Sequence, residues 1–93
     1  MKVKWTSKAA SDLARLHELL RPVAPEAAAR IVRQLARAPD KLSDFPRLGE
    51  KLETYEPREV RRLIVGDHEL RYEIADATIF VLRLGHCREN RVR

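Results

Sequence analysis

The sequence predicts an α+β fold: a mostly antiparallel sheet, built from one N-terminal strand and a C-terminal three-stranded meander, with an α-helical hairpin packed on one face. Three observations carry this. Apolar residues recur at helical spacing from Ala9 to Ala38, the period changes to two after Arg58, and a short alternating stretch precedes the first helix. At 93 residues and 44% apolar content the chain suits one domain, residues 1–93, around one modest core.

The elements follow in order. KVKWT, Lys2 to Thr6, alternates charge with Val3 and Trp5, the period of a half-buried strand. Thr6 or Ser7 then offers an N-cap oxygen. Ala9, Leu13, Leu16 and Leu20 draw an apolar stripe down a first helix, with His17 at its border as a packing residue. Pro22 and Pro25 end that helix and start another, whose stripe is Ala28, Ile31, Leu35 and Ala38. Arg30, Arg33 and Arg37 face away from this second stripe and read as a solvated helix face. Pro39 is expected to close the helix.

Lys41 to Pro57 has no sustained period. It reads as one helical turn and then an ordered loop, pinned over the core edge by Leu42, Phe45 and Leu48 and broken by Pro46, Gly49 and Pro57. REVRRLIV then runs into Gly66-Asp67, a glycine-first pair suited to a tight hairpin, and HELRYEI puts His68, Leu70, Tyr72 and Ile74 on one face. Glu69, Arg71 and Glu73 take the other face. After a turn near Ala75-Asp76-Ala77, TIFVLRLG places Phe80, Leu82 and Leu84 on one face and Ile79 and Val81 on the reverse, as in a central strand. The face away from the helices is expected to carry a partner groove defined by Arg71, Arg83 and the loop anchors.

Composition narrows the function. The net charge is +5 with a pI near 9.9, which favours acidic partners. The charge is spread: residues 1–57 hold 11 bases and 8 acids, and residues 58–93 hold 8 bases, all arginine, and 6 acids. Arginine suits bidentate contact with carboxylate or phosphate. The basic character concentrates at Arg83, Arg88, Arg91 and Arg93, opposed only by Glu89. Cys87 is the single cysteine, so an internal disulfide is excluded and a reducing compartment fits. It reads as a small packing residue. His17, His68 and His86 lack metal-site spacing, so neither a metal nor a cofactor is expected. With no secretory-signal pattern and no apolar run of the ~18 residues a bilayer span needs, the chain reads as cytoplasmic, without membrane contact.

WTSKAASDL after the first strand, KLSDFPRLG in mid-chain, VRRLIVGDHELRYEI and FVLRLGHCREN occur in this order across essentially the whole chain. Together they resemble the RelE/ParE superfamily of toxins from bacterial toxin–antitoxin pairs. The resemblance implies a small sheet with a helical hairpin and a cognate acidic antitoxin, ParD-like, of the ribbon-helix-helix kind. A basic toxin and a partly disordered acidic binder are complementary, because opposite charge speeds encounter and folding on binding covers a wide surface.

Two activities occur within the superfamily. One branch resembles ribosome-dependent mRNA endoribonucleases, which need a base for the ribose 2′-hydroxyl, cations on the phosphate and an acid for the leaving oxygen. In this chain the candidates are His86 as base or acid, with Arg71, Arg83 and Arg88 as phosphate clamps and Glu69 or Glu73 as reserve bases. That branch usually carries a tyrosine or second proton-transfer group after the last strand. Here Asn90-Arg91 stands there, and an arginine is a poor general acid or base. The other branch, ParE-like, poisons DNA gyrase by binding it. FPRLG and the run His86 to Arg91 look closer to this branch, which is the preferred expectation. The expected contact set for gyrase or antitoxin is Arg61, Arg71, Arg83, Arg88, Arg91 and Arg93. A third possibility is a relic that keeps the fold and the antitoxin but has lost toxicity. His86 also has a plain reading, tethering the chain end to backbone.

Overall fold

The structure is a computed structural model that describes residues 1–88; Arg91 and Arg93 of the expected contact set lie outside the described residues. Thr6 shows how the first two elements are joined. Its hydroxyl accepts the Ala9 N–H at 3.1 Å, capping α1 (Ser7–Leu20), and lies 2.9 Å from the Val81 carbonyl, to which it donates. The residue that starts the helix is thereby fastened to a strand 75 positions away. On α1, Ala9 is fully buried and Leu13 and Leu16 pack against the core.

The second helix, α2 (Pro25–Asp44), buries Ala28, Leu35, Ala38, Pro39 and Leu42. It does not stop at Pro39, as the sequence suggested. An internal proline removes one helical hydrogen bond and costs roughly 3 kcal/mol. Burying a leucine returns about 1.5–3 kcal/mol. With Leu42 at 0% exposure and Pro39 itself in the interior, continuation for a further turn is favoured. The isolated helical turn expected after Lys41 is therefore the end of α2.

The sheet has five strands in the order β1-β5-β4-β3-β2. β1 (Lys2–Trp5) runs parallel to β5 (Thr78–His86), with Val3 opposite Ile79. β3 (Glu59–Val65) and β4 (His68–Ala75) form the expected hairpin, where Val65 faces His68 across Gly66-Asp67 and Gly66 takes φ +62°. β4 and β5 complete the antiparallel meander. The strand missing from the sequence reading is β2 (Glu50–Lys51), two charged residues paired to Arg61 and Arg62 of β3. Two residues are too few for a period to register.

The mid-chain loop is held differently from expectation. Phe45 and Leu48 are 65% and 53% exposed rather than buried. The anchor is Tyr72, fully buried on β4, whose hydroxyl donates to the Pro46 carbonyl at 2.7 Å and accepts the Gly49 N–H at 2.9 Å. A side chain at Gly49 would lie 2.9 Å from the Tyr72 ring and 2.7 Å from the Arg62 carbonyl, so glycine is required by close approach.

The face pattern of β5 also departs from strict alternation. Arg71 pairs with Arg83 but Tyr72 pairs with Val81, which leaves Leu82 as an extra residue, a β-bulge. Ile79, Val81 and Leu84 consequently join the buried cluster with Leu70, Tyr72, Leu35 and Leu42, while Phe80 and Leu82 are half-buried.

Candidate functional site

The strand register sorts the charged residues by face. Glu50, Arg62 and Arg71 align across β2, β3 and β4 on the face away from the core cluster, with Glu69 and Glu73 beside them on β4. Glu69 is 2% exposed and is the hub. Its carboxylate accepts from Arg71 Nε at 2.9 Å and lies 3.8 Å from an Arg62 terminal nitrogen. Arg62 is shared with Glu50 at 2.6 Å, and the hydrogen bond to Glu50, offset by burial and supported by the Glu50 and Glu69 charges, raises its pKa. Arg71 also donates to the Tyr55 hydroxyl at 3.0 Å. Arg58 makes a bidentate pair with Glu73, at 3.1 and 2.8 Å, and its guanidinium lies 5.9 Å from the Tyr55 ring centre. The Arg58 hydrogen bond outweighs burial and holds the Glu73 carboxyl below the usual range.

Arg61 has the opposite parity. It donates to Glu59 at 2.9 Å and to the Gly49 carbonyl at 2.8 Å, and Arg47 reaches the same Glu59. Burial pulls the Glu59 carboxyl up, but hydrogen bonds from Arg61 and Arg47 bring it net below its ordinary value. Arg61 thus ties β3 to the mid-chain loop.

Arg83 is taken by a residue that sequence reasoning missed. Asp12 of α1 accepts from Arg83 at 2.8 and 3.2 Å and from the Leu84 backbone N–H at 2.9 Å. Burial pushes the Asp12 carboxyl up, yet the Arg83 and Leu84 hydrogen bonds and the charges of Arg83 and Arg15 leave it net lowered. The available signal was an acid flanking the apolar stripe of Ala9, Leu13 and Leu16. The bulge beside Arg83 was the hidden part.

His86 stands opposite His68 in the register, their rings edge to face with centres 5.2 Å apart. His68 is buried. His86 Nδ1 accepts the Arg88 N–H at 3.1 Å, so a neutral ring carries its proton on Nε2. Arg88 is exposed. The six-residue contact set therefore divides: Arg71 on the open face, Arg61 under the loop, Arg83 on α1 and Arg88 beside the histidine pair. Likewise His86 and Arg71 have opposite parity, so His86 with Arg88 stands apart from Arg71 with Glu69. Among the described residues no group of three or more His, Cys, Asp and Glu side chains has metal-binding geometry, and no helix is long and apolar enough to cross a membrane.

Comparison with known proteins decides the family. The model of the ParE toxin of the type II toxin–antitoxin system parDE matches residues 3–91. The chain belongs to the ParE toxin family. A curated relative, Toxin RelE2 of Caulobacter vibrioides, is 32% identical over 84 residues, covering 90% of this chain and 92% of its own. Among solved structures, the chromosomal ParDE toxin–antitoxin system of P. aeruginosa superposes with a TM-score of 0.78 at 25% identity, over 92% of this chain and 95% of that one. A chain of the archaeal RelE–RelB complex of Pyrococcus horikoshii shares the fold, with a TM-score of 0.62 at 24% identity over 91% and 92% of the two chains. This ParE-family chain is accordingly a toxin of a type II toxin–antitoxin pair, with a cognate antitoxin as partner.

Proposed function

We propose that this toxin arrests DNA gyrase by binding it, and that a ParD-like ribbon-helix-helix antitoxin neutralises it. One observation carries the preference for binding over RNA cleavage. The side chains a cleavage centre would recruit are split: Arg71 sits with Glu69 and Tyr55 on the face away from the core cluster, His86 Nδ1 accepts the Arg88 N–H on the opposite parity, and Arg83 is held by Asp12. A centre that moves protons and steadies a phosphorane needs its base, acid and cations around one point. A binding poison needs shape and charge spread over a surface, which is how these arginines are distributed. Within this reading the contact set is Arg61, Arg71, Arg83, Arg88, Arg91 and Arg93, of which Arg88 is exposed and Arg71 and Arg83 are drawn from ion pairs with Glu69 and Asp12.

Messenger RNA cleavage on the ribosome is the second reading. It is favoured by the relative named Toxin RelE2 and by Tyr55, whose hydroxyl on the open face lies 3.0 Å from Arg71 and supplies a phenol where the chain end supplies none.

The test is direct. Purified toxin is added to a gyrase supercoiling reaction and, separately, to a translating extract. Gyrase trapped on cleaved DNA with intact mRNA is the expected result. Cuts in mRNA that disappear in His86→Ala or Tyr55→Phe would replace the proposal with the second reading. No effect in either reaction would leave an antitoxin-binding relic.

A further inference from the structure

Positive charge is handled differently on the two layers of this molecule. The arginines of the sheet are each held by a carboxylate: Arg61 by Glu59, Arg62 by Glu50 and Glu69, Arg71 by Glu69 and Arg83 by Asp12. The basic residues of α2 are not. Arg30, Arg33, Arg37 and Lys41 are exposed and, among the described residues, take part in no ion pair and donate no side-chain hydrogen bond.

Their order makes a row. They stand three, four and four residues apart, so at 3.6 residues per turn they fall within about 80° of one another around the helix. Ala28, Leu35, Ala38 and Leu42 take the other side of α2 into the core, which turns the row outward. At 1.5 Å per residue it is about 16 Å long. Glu26 and Asp44 close its two ends, and Asp40 stands about 60° to one side of Arg37. From Arg30 to Arg37 no acidic residue interrupts it. Like charges at i, i+4, as in Arg33 with Arg37 and Arg37 with Lys41, destabilise a helix slightly, so the row contributes nothing to the fold.

The surroundings of the row choose between acidic partners. A protein segment needs apolar anchors as well as charge, because the centre of a protein interface is desolvated. None of the large apolar residues exposed among the described ones lies on α2. Interfaces with nucleic acid are more polar and far more positive. Duplex DNA carries one negative charge per about 1.7 Å of its axis, so a row of this length meets phosphate in whatever register it lands. The planar fork of each arginine can also donate two hydrogen bonds to one phosphate.

We infer that the outward face of α2 binds the phosphate backbone of duplex DNA without reading its bases. Arg30, Arg33, Arg37 and Lys41 supply the contacts, and the site holds whichever target the toxin arrests. Arg37 and Lys41 also line the groove between α2 and β3, whereas Arg30 and Arg33 lie outside it, so the latter pair reports on the row alone.

The test follows binding of the full chain to a labelled duplex of about 20 base pairs by fluorescence anisotropy, from about 50 to about 200 mM salt. Each phosphate contact contributes about −0.9 to the slope of log K against log salt, so four contacts give about −3.6 or steeper. Arg30→Ala with Arg33→Ala is expected to make the slope shallower by about 1.8 and to weaken binding at the lowest salt at least about tenfold. The melting temperature should not move, since both side chains are exposed. Lys2→Ala with Lys4→Ala removes the same charge from exposed positions on β1 and should leave the slope within about 0.5 of wild type. Two duplexes of unrelated sequence should bind within about twofold of each other. An equal loss of slope in the β1 variant, a wild-type slope shallower than about −2, or a preference for one duplex beyond about tenfold would each overturn the inference. So would tighter binding of single-stranded RNA or of a polyglutamate peptide than of the duplex, with the same dependence on Arg30 and Arg33, which would assign the row to that partner instead.

Discussion

Removing the Asp12 carboxylate, as in Asp12→Ala, is expected to cost about 1.5–4 kcal/mol of folding free energy. The sum has two parts. The ion pair with Arg83 involves a guanidinium that is 54% exposed, so solvent screens it to about 0.5–1 kcal/mol. The larger part is the Leu84 N–H, which loses its acceptor on a strand edge next to the core and costs about 1–3 kcal/mol when left unmade. Arg83→Ala removes only the first part and is expected to cost under about 1 kcal/mol. For a domain of this size each kcal/mol moves Tm by roughly 4–8 °C, so thermal unfolding followed by circular dichroism separates the two variants. The pH dependence has a definite sign. Asp12 has a lowered folded-state pKa, so its contribution is present above the unfolded carboxyl value of about 3.9 and is lost as pH falls through the folded one. Asp12→Ala should flatten the acid limb of the stability curve. If Arg83→Ala destabilises as much as Asp12→Ala, or if Asp12→Ala is within about 0.5 kcal/mol of wild type, the edge-cap argument is wrong.

Three more expectations follow from the same kind of accounting. Tyr72→Phe orphans the Pro46 carbonyl and the Gly49 N–H and should cost about 2–3 kcal/mol in urea unfolding with an unchanged m-value. Because burial raises the Tyr72 pKa, wild type should lose stability as pH rises above the unfolded value of about 10, a loss that Tyr72→Phe should reduce. Ala77 sits at φ +55° next to Asp76 at φ +53°, a left-handed pair in the β4–β5 turn, so Ala77→Gly should stabilise by about 0.5–1 kcal/mol, read as a higher Tm. Gly49→Ala should destabilise by about 1–3 kcal/mol and increase proteolysis near Arg47, since the added methyl meets Arg62 backbone and the buried Tyr72 ring.

Periodicity made the helices, the β3–β4 hairpin and the central place of β5 legible, since each rests on several residues repeating at one spacing. What escaped was set by single residues answering distant ones. Pro39 reads locally as a stop, and only the burial of Leu42 against the sheet carries the helix past it. Leu82 reads as one more step of an alternating strand, and only pairing with β4 shows it to be extra. The candidate site suffered from the same blindness. Arginine composition identified which side chains matter for charge, but whether Arg61, Arg71 or Arg83 is available depends on Glu59, Glu69 and Asp12, and those acids are brought to them by register and packing.

The parallel pairing of β1 with β5 imposes a schedule on synthesis. Val3 and Trp5 are each made 76 residues before their strand neighbours, Ile79 and Val81. Until the final strand emerges, the N-terminal strand has nothing to align with and Thr6 has no carbonyl to grip. A nascent chain cut short before β5 is therefore an incomplete sheet.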